Sequence, residues 1–91
     1  MKTYIITCLD KKNSLKKRLA NRDLHLKYLK SLKNKLILAG PILNKTNKPK
    51  GSVLILKFRN KFELNNFLKN DPYSKVKLFK SIKILEFKKV L

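Results

Sequence analysis

Four short runs rich in β-branched and aliphatic residues, broken by two stretches of helical spacing, leave this chain very few ways to fold. Thr3 to Leu9 ends at the polar cluster Asp10 to Asn13 and reads as a strand. Ser14 offers an N-cap, and Leu15, Leu19, Leu26, Leu29 and Leu32 then recur at the helical period. Asn21 and Asp23 sit poorly in mid-helix, so one helix or two in series, the second starting near Arg22, both fit. Leu36 to Leu43 is a strand whose Gly40-Pro41 belongs at an edge, and Gly51 to Phe58 is the next. Asn60 caps a helix carrying Phe62, Leu64, Phe67 and Leu68. That helix ends by Asn70 or Asp71, because Pro72 pushes the residue before it out of the α region. A further helical turn is expected around Ser74 to Phe79, and Ser81 to Val90 closes as a strand.

The order βαββαβ is the signature of an α+β, ferredoxin-like sandwich, here filling one domain over residues 1–91. Both helices of such a unit lie on one face of the sheet, so the other face should turn polar if it meets water. It does not. Ile5-Ile6, Leu36 to Ala39, Val53 to Leu56 and Ile84-Leu85 place apolar side chains on both faces. Covering the second face at about 25 cal/mol per Å² is worth several kcal/mol, which a chain this short obtains only from a partner. A sheet-to-sheet homodimer is the expectation.

Charge argues less than its size suggests. Against five acidic residues stand 24 basic ones, for a net charge of +19, but only Arg18, Arg22 and Arg59 are arginine. Lysine, asparagine, isoleucine and leucine are abundant and Gly and Ala scarce, the bias an AT-rich genome imposes through its codons. The runs Lys11-Lys12, Lys16 to Arg18 and Lys88-Lys89 lack interleaved aromatics and read as solvated surface.

Cys8 is the only cysteine and His25 the only histidine, so neither a disulfide framework nor a Cys/His metal-ligand set is available; no metal is expected. Cys8 reads as a small core filler. No glycine-rich phosphate loop occurs, and no cofactor is expected. Neither a secretory leader nor an apolar run near the roughly 20 residues of a membrane span is readable, and a cytoplasmic location without membrane contact is expected.

Two features carry chemistry. On a continuous helix Arg18, Arg22, His25 and Leu29 advance by four, three and four residues and share one stripe. Two cations beside an imidazole favour its neutral, basic form and offer a place for an anion. The plain alternative is a structural histidine flanked by solvated arginines. Asp71-Pro72-Tyr73 is the second feature: an acid fixed at a helix exit, or simply a helix stop. A carboxylate bonded to one imidazole nitrogen fixes the tautomer and leaves the other nitrogen as acid or base. Because both helices share a sheet face, His25 and Asp71 can meet.

The chain resembles YciI-like (YCII-related) proteins over nearly its full length. The resemblance runs through Cys8-Leu9-Asp10, Ser14-Leu15, Arg18-Leu19-Ala20, Arg22, His25-Leu26 and Tyr28-Leu29. It continues through Leu38 to Pro41, Gly51-Ser52, Asp71-Pro72-Tyr73, Leu78-Phe79 and Lys89-Val90-Leu91. It implies a dimeric α+β barrel of ferredoxin-like protomers and makes His25 and Asp71 a catalytic pair. One similar protein is a dehydrochlorinase acting on a hydroxyhydroquinone, which implies proton transfer on small, polar, cyclic or enolisable compounds, a reaction of the lyase or isomerase kind. On that pattern His25 takes the proton, Asp71 orients it, and Arg22, Arg18 and Tyr73 bind an anionic small molecule. Asp23 departs from the family, standing where many relatives carry proline.

The competing class is a basic nucleic-acid-binding module using the +19 surface, with a noncatalytic assembly protein a third option. Sheet-based RNA readers expose aromatics on central strands, whereas Tyr4 and Phe58 stand among aliphatics that read as buried.

Overall fold

A computed structural model describes residues 1–91. Strand β1 (Lys2–Asp10) leads into two short helices, α1 (Leu15–Ala20) and α2 (Arg22–Lys30). Strands β2 (Leu36–Leu43) and β3 (Pro49–Phe58) form a hairpin, followed by α3 (Lys61–Lys69), the single turn α4 (Pro72–Lys75) and β4 (Phe79–Phe87). The strands form one antiparallel sheet in the order β2-β3-β1-β4, with each helical segment crossing between parallel strands. That is the ferredoxin-like arrangement.

Local chemistry explains most of the boundaries. Asn60 caps α3 by accepting the Glu63 amide at 3.0 Å. Asn21 divides the first helical stretch in two; its side chain donates to the Lys17 carbonyl at 2.9 Å, a bond characteristic of a helix end. The last helical turn starts at Pro72 rather than near Ser74. Proline fits the first helical position and Asp71 caps it, accepting the Tyr73 amide at 2.9 Å. Because that turn comes early, β4 starts at Phe79, two residues before the expected Ser81, and ends at Phe87.

Alternation along the central strands fixes which residues enter the core. Tyr4, Ile6 and Cys8 of β1 and Leu54, Leu56 and Phe58 of β3 face the helices and are buried with Leu29, Leu64, Phe67 and Leu68. Each aliphatic side chain so buried contributes about 1.5–3 kcal/mol. Tyr28 joins α2 to α3, stacking on Phe67 at 4.5 Å between centroids and donating its hydroxyl to the Phe67 carbonyl at 2.8 Å.

No helix covers the opposite face. Register aligns Leu38, Ile55, Ile5 and Leu85 in one row across all four strands of it. Leu38 and Leu85 are about half exposed, and Leu9 and Phe87 are exposed beside them. The tyrosine and phenylalanine of the central strands, Tyr4 and Phe58, lie on the covered face. No helix is long and apolar enough to cross a membrane.

Candidate functional site

The sequence separates His25 and Asp71 by 46 residues, and the fold brings them together. His25 lies on the buried side of α2, and Asp71 ends the loop between α3 and α4. Nδ1 of the imidazole donates to Asp71 Oδ1 at 2.8 Å, with both side chains almost wholly buried. The same Oδ1 accepts the Tyr73 amide, so helix capping and histidine orientation converge on one oxygen. A proton held at Nδ1 leaves the Nε2 lone pair available as a base. The Tyr73 ring stacks on the imidazole at 3.8 Å and 14°, and Phe79 meets its edge at 5.9 Å.

Arg18 and Arg22 part company. Sequence spacing made both of them ligand-facing cations. Arg18 lines the cleft but is 4% exposed and largely engaged within the protein: Nε reaches Asp10 Oδ2 at 2.7 Å, Nη2 reaches Asp10 Oδ1 at 3.0 Å, and Nη2 also donates to Ser52 Oγ at 2.9 Å. Its guanidinium lies 4.7 Å from the Tyr73 ring centroid. Burial works against that charge, but the hydrogen bond and charge of Asp10 outweigh it and hold the guanidinium more firmly protonated than usual. Arg22 makes no ion pair and lines the cleft. Although α1 and α2 do not form one continuous helix, Arg18, Arg22, His25 and Leu29 still border the same space.

Asp10 and Ser52 were not singled out from sequence. Asp10 lies at the end of β1, and a strand-end acid normally meets solvent. Ser52 owes its place to its neighbour: a Cβ at Gly51 would lie 2.3 Å from the Cys8 carbonyl oxygen, so only glycine lets β3 approach β1 this closely. The Gly51-Ser52 step was the available signal.

The cleft has a volume of about 180 Å³ and lies between α1, α2 and the edge strand β2. His25, Tyr73, Arg18 and Arg22 form its polar side, facing Ala39, Pro41 and Pro49. An apolar cavity of about 150 Å³ accepts benzene, so the space suits a single-ring compound. No three His, Cys, Asp or Glu side chains are grouped to hold a metal ion. Cys8 is sealed in the core, and burial, with Asp71 adding to it, pushes its thiol up to about 12.

Comparison with known proteins agrees with this architecture. A dehydrochlorinase of Burkholderia phenoliruptrix acting on 5-chloro-2-hydroxyhydroquinone, solved with 2,5-dihydroxybenzoquinone bound, superposes with a TM-score of 0.88 at 32% identity, covering 94% of this chain and 93% of its own. An antibiotic biosynthesis monooxygenase superposes at 0.61 over the whole of both chains, with 9% identity, and shares the fold alone. An uncharacterized protein of Haemophilus influenzae is 35% identical over 95 residues, spanning 96% of this chain and 97% of its own length. The YCII-related domain model matches residues 2–88, almost end to end, and the chain therefore belongs to the YCII-related family.

Proposed function

We propose that this protein is a small dimeric enzyme, or a binder of small ligands, that uses the His25–Asp71 pair to move a proton on a polar, single-ring or enolisable compound. One observation carries the reading: a buried 2.8 Å contact fixes Nδ1 of the only histidine, beside a cleft sized for one ring. His25 Nε2 accepts the proton and Asp71 stabilises the imidazolium. Arg22, the cleft arginine without an ion-pair partner, holds an anionic group of the ligand, while Arg18 shapes the wall behind it. The dehydrochlorinase complex supports this reading, since a quinone of one ring is the ligand of a chain similar in fold and sequence.

Asp71→Asn separates a site pair from a structural one. Asparagine preserves an oxygen at the cap, so the fold persists, while the His25 titration followed by NMR shifts and ligand turnover or binding falls. A His25 titration unchanged by Asp71→Asn would refute the pair. The outer sheet face, apolar and uncovered in the protomer, is proposed as the dimer contact.

A further inference from the structure

Besides the guanidinium of Arg22, three polar atoms of the buried cleft residues have no partner within the chain. His25 Nε2, the Tyr73 hydroxyl and Arg18 Nη1 make no hydrogen bond inside the protein, whereas His25 Nδ1, the Tyr73 amide and Arg18 Nε and Nη2 are all engaged. No side-chain nitrogen or oxygen sealed from solvent lacks a partner, so each of these three atoms touches solvent, and their residues line the cleft. Tyr28 shows the contrast, since its hydroxyl is satisfied by the Phe67 carbonyl.

Tyr73 is fixed on every side except at that hydroxyl. Its ring is stacked against His25, edged by Phe79 and faced by the Arg18 guanidinium, and the residue is 1% exposed. Burial pushes the phenol up from its ordinary range and Arg18 and Arg22 offset only part of this, so the group stays a neutral donor at physiological pH. A base creates negative charge on the ligand, and a hydrogen-bond donor held at the atom that receives it stabilises that charge. Loss of one donor aimed at such charge commonly costs about 10²–10³ in rate.

We propose that Tyr73 is a second catalytic residue, whose hydroxyl donates a hydrogen bond to the carbonyl oxygen on which negative charge collects as His25 Nε2 removes a proton. The inference rests on the His25–Asp71 reading and narrows its substrate class to planar compounds whose acidic C–H or O–H is conjugated to a carbonyl. The electron pair of the broken C–H or O–H bond enters the conjugated system and the carbonyl oxygen becomes an enolate oxygen. The proton moves to Nε2, and Asp71 faces the resulting imidazolium. No oxidant or second reactant takes part. Arg18 Nη1, positioned by Asp10, adds positive charge at the same wall.

Tyr73→Phe removes only the hydroxyl and keeps the ring stack, so the variant should melt as the wild type does. The wild type, Tyr73→Phe and His25→Gln are titrated with 2,5-dihydroxybenzoquinone across a pH series, followed by the quinone's absorbance. Tyr73→Phe should bind the ionised quinone about tenfold to a hundredfold more weakly, as expected for a lost hydrogen bond to a charged group. It should also raise the pH at which the bound quinone ionises, because the donor favours the anion. A purely structural tyrosine would move neither. Unchanged affinity and ionisation in Tyr73→Phe, with binding lost in His25→Gln, would overturn the role of Tyr73 and leave the pair standing. A wild type that does not bind the quinone would overturn both.

Discussion

Arg18 grips Asp10 in a bidentate fork, two contacts of 2.7 and 3.0 Å between side chains that are each 5% exposed. Removing one member of so buried a pair strands the other charge. Asp10→Ala should cost about 3–5 kcal/mol in a denaturant titration. Ser52→Ala, which takes one of three contacts from the guanidinium, should cost only about 1 kcal/mol.

Asp71 serves two partners through one oxygen, the Tyr73 amide two residues on and the His25 imidazole 46 residues away. Asp71→Ala loses a helix cap, worth about 1 kcal/mol, and leaves the buried Nδ1–H of His25 unpaired at about 1–3 kcal/mol more. Asp71→Asn keeps an acceptor for the Tyr73 amide. Chemical unfolding should therefore rank the alanine variant as clearly less stable than the asparagine one.

The uncovered sheet face predicts association. Sedimentation at micromolar concentration should give about twice the chain mass of 10.7 kDa, and association should tighten with salt, which screens repulsion between chains of +19. Leu85→Lys charges the row Leu38–Ile55–Ile5–Leu85 at a position already half exposed in the protomer. That variant should be a folded monomer by circular dichroism and sedimentation. A wild type that stays monomeric at high concentration would remove the dimer.

Cys8 gives an alkaline signature. Its folded pKa is raised by burial to about 12 from an ordinary 9.0, so above pH 9 the unfolded chain binds fewer protons than the folded one. The stabilising contribution is complete below pH 9 and is lost as pH rises toward 12, at about 1.4 kcal/mol per unit. Comparing wild type with Cys8→Ala at pH 8 and 11 isolates it from the lysines. The wild type should lose about 2–3 kcal/mol relative to the variant.

The sequence made the element order legible because strand and helix periods differ and because Asn60 and Pro72 punctuate the chain. It also allowed His25 to meet Asp71, since a βαββαβ order puts both helical crossings on one sheet face. Other features depend on geometry that spacing does not encode. Nothing local links Asp10 with Ser52, which join only because β1 and β3 lie side by side and Arg18 spans them. The early start of α4 was readable in principle from Asp-Pro, a cap followed by a residue suited to the first helical position. The division at Asn21 stayed open because a single asparagine is compatible with both outcomes.

The cleft is built from two kinds of material. On one side His25, Tyr73 and Arg18 are also parts of the buried interior, so truncating any of their side chains disturbs the fold together with the chemistry. On the other side Ala39 and Pro41 belong to an edge strand and are exposed, so larger, smaller or more polar side chains there reshape the space at little cost to the protomer. Selectivity can drift along the margin while the reactive group stays anchored, and a designer seeking a new ligand for this scaffold would begin at β2.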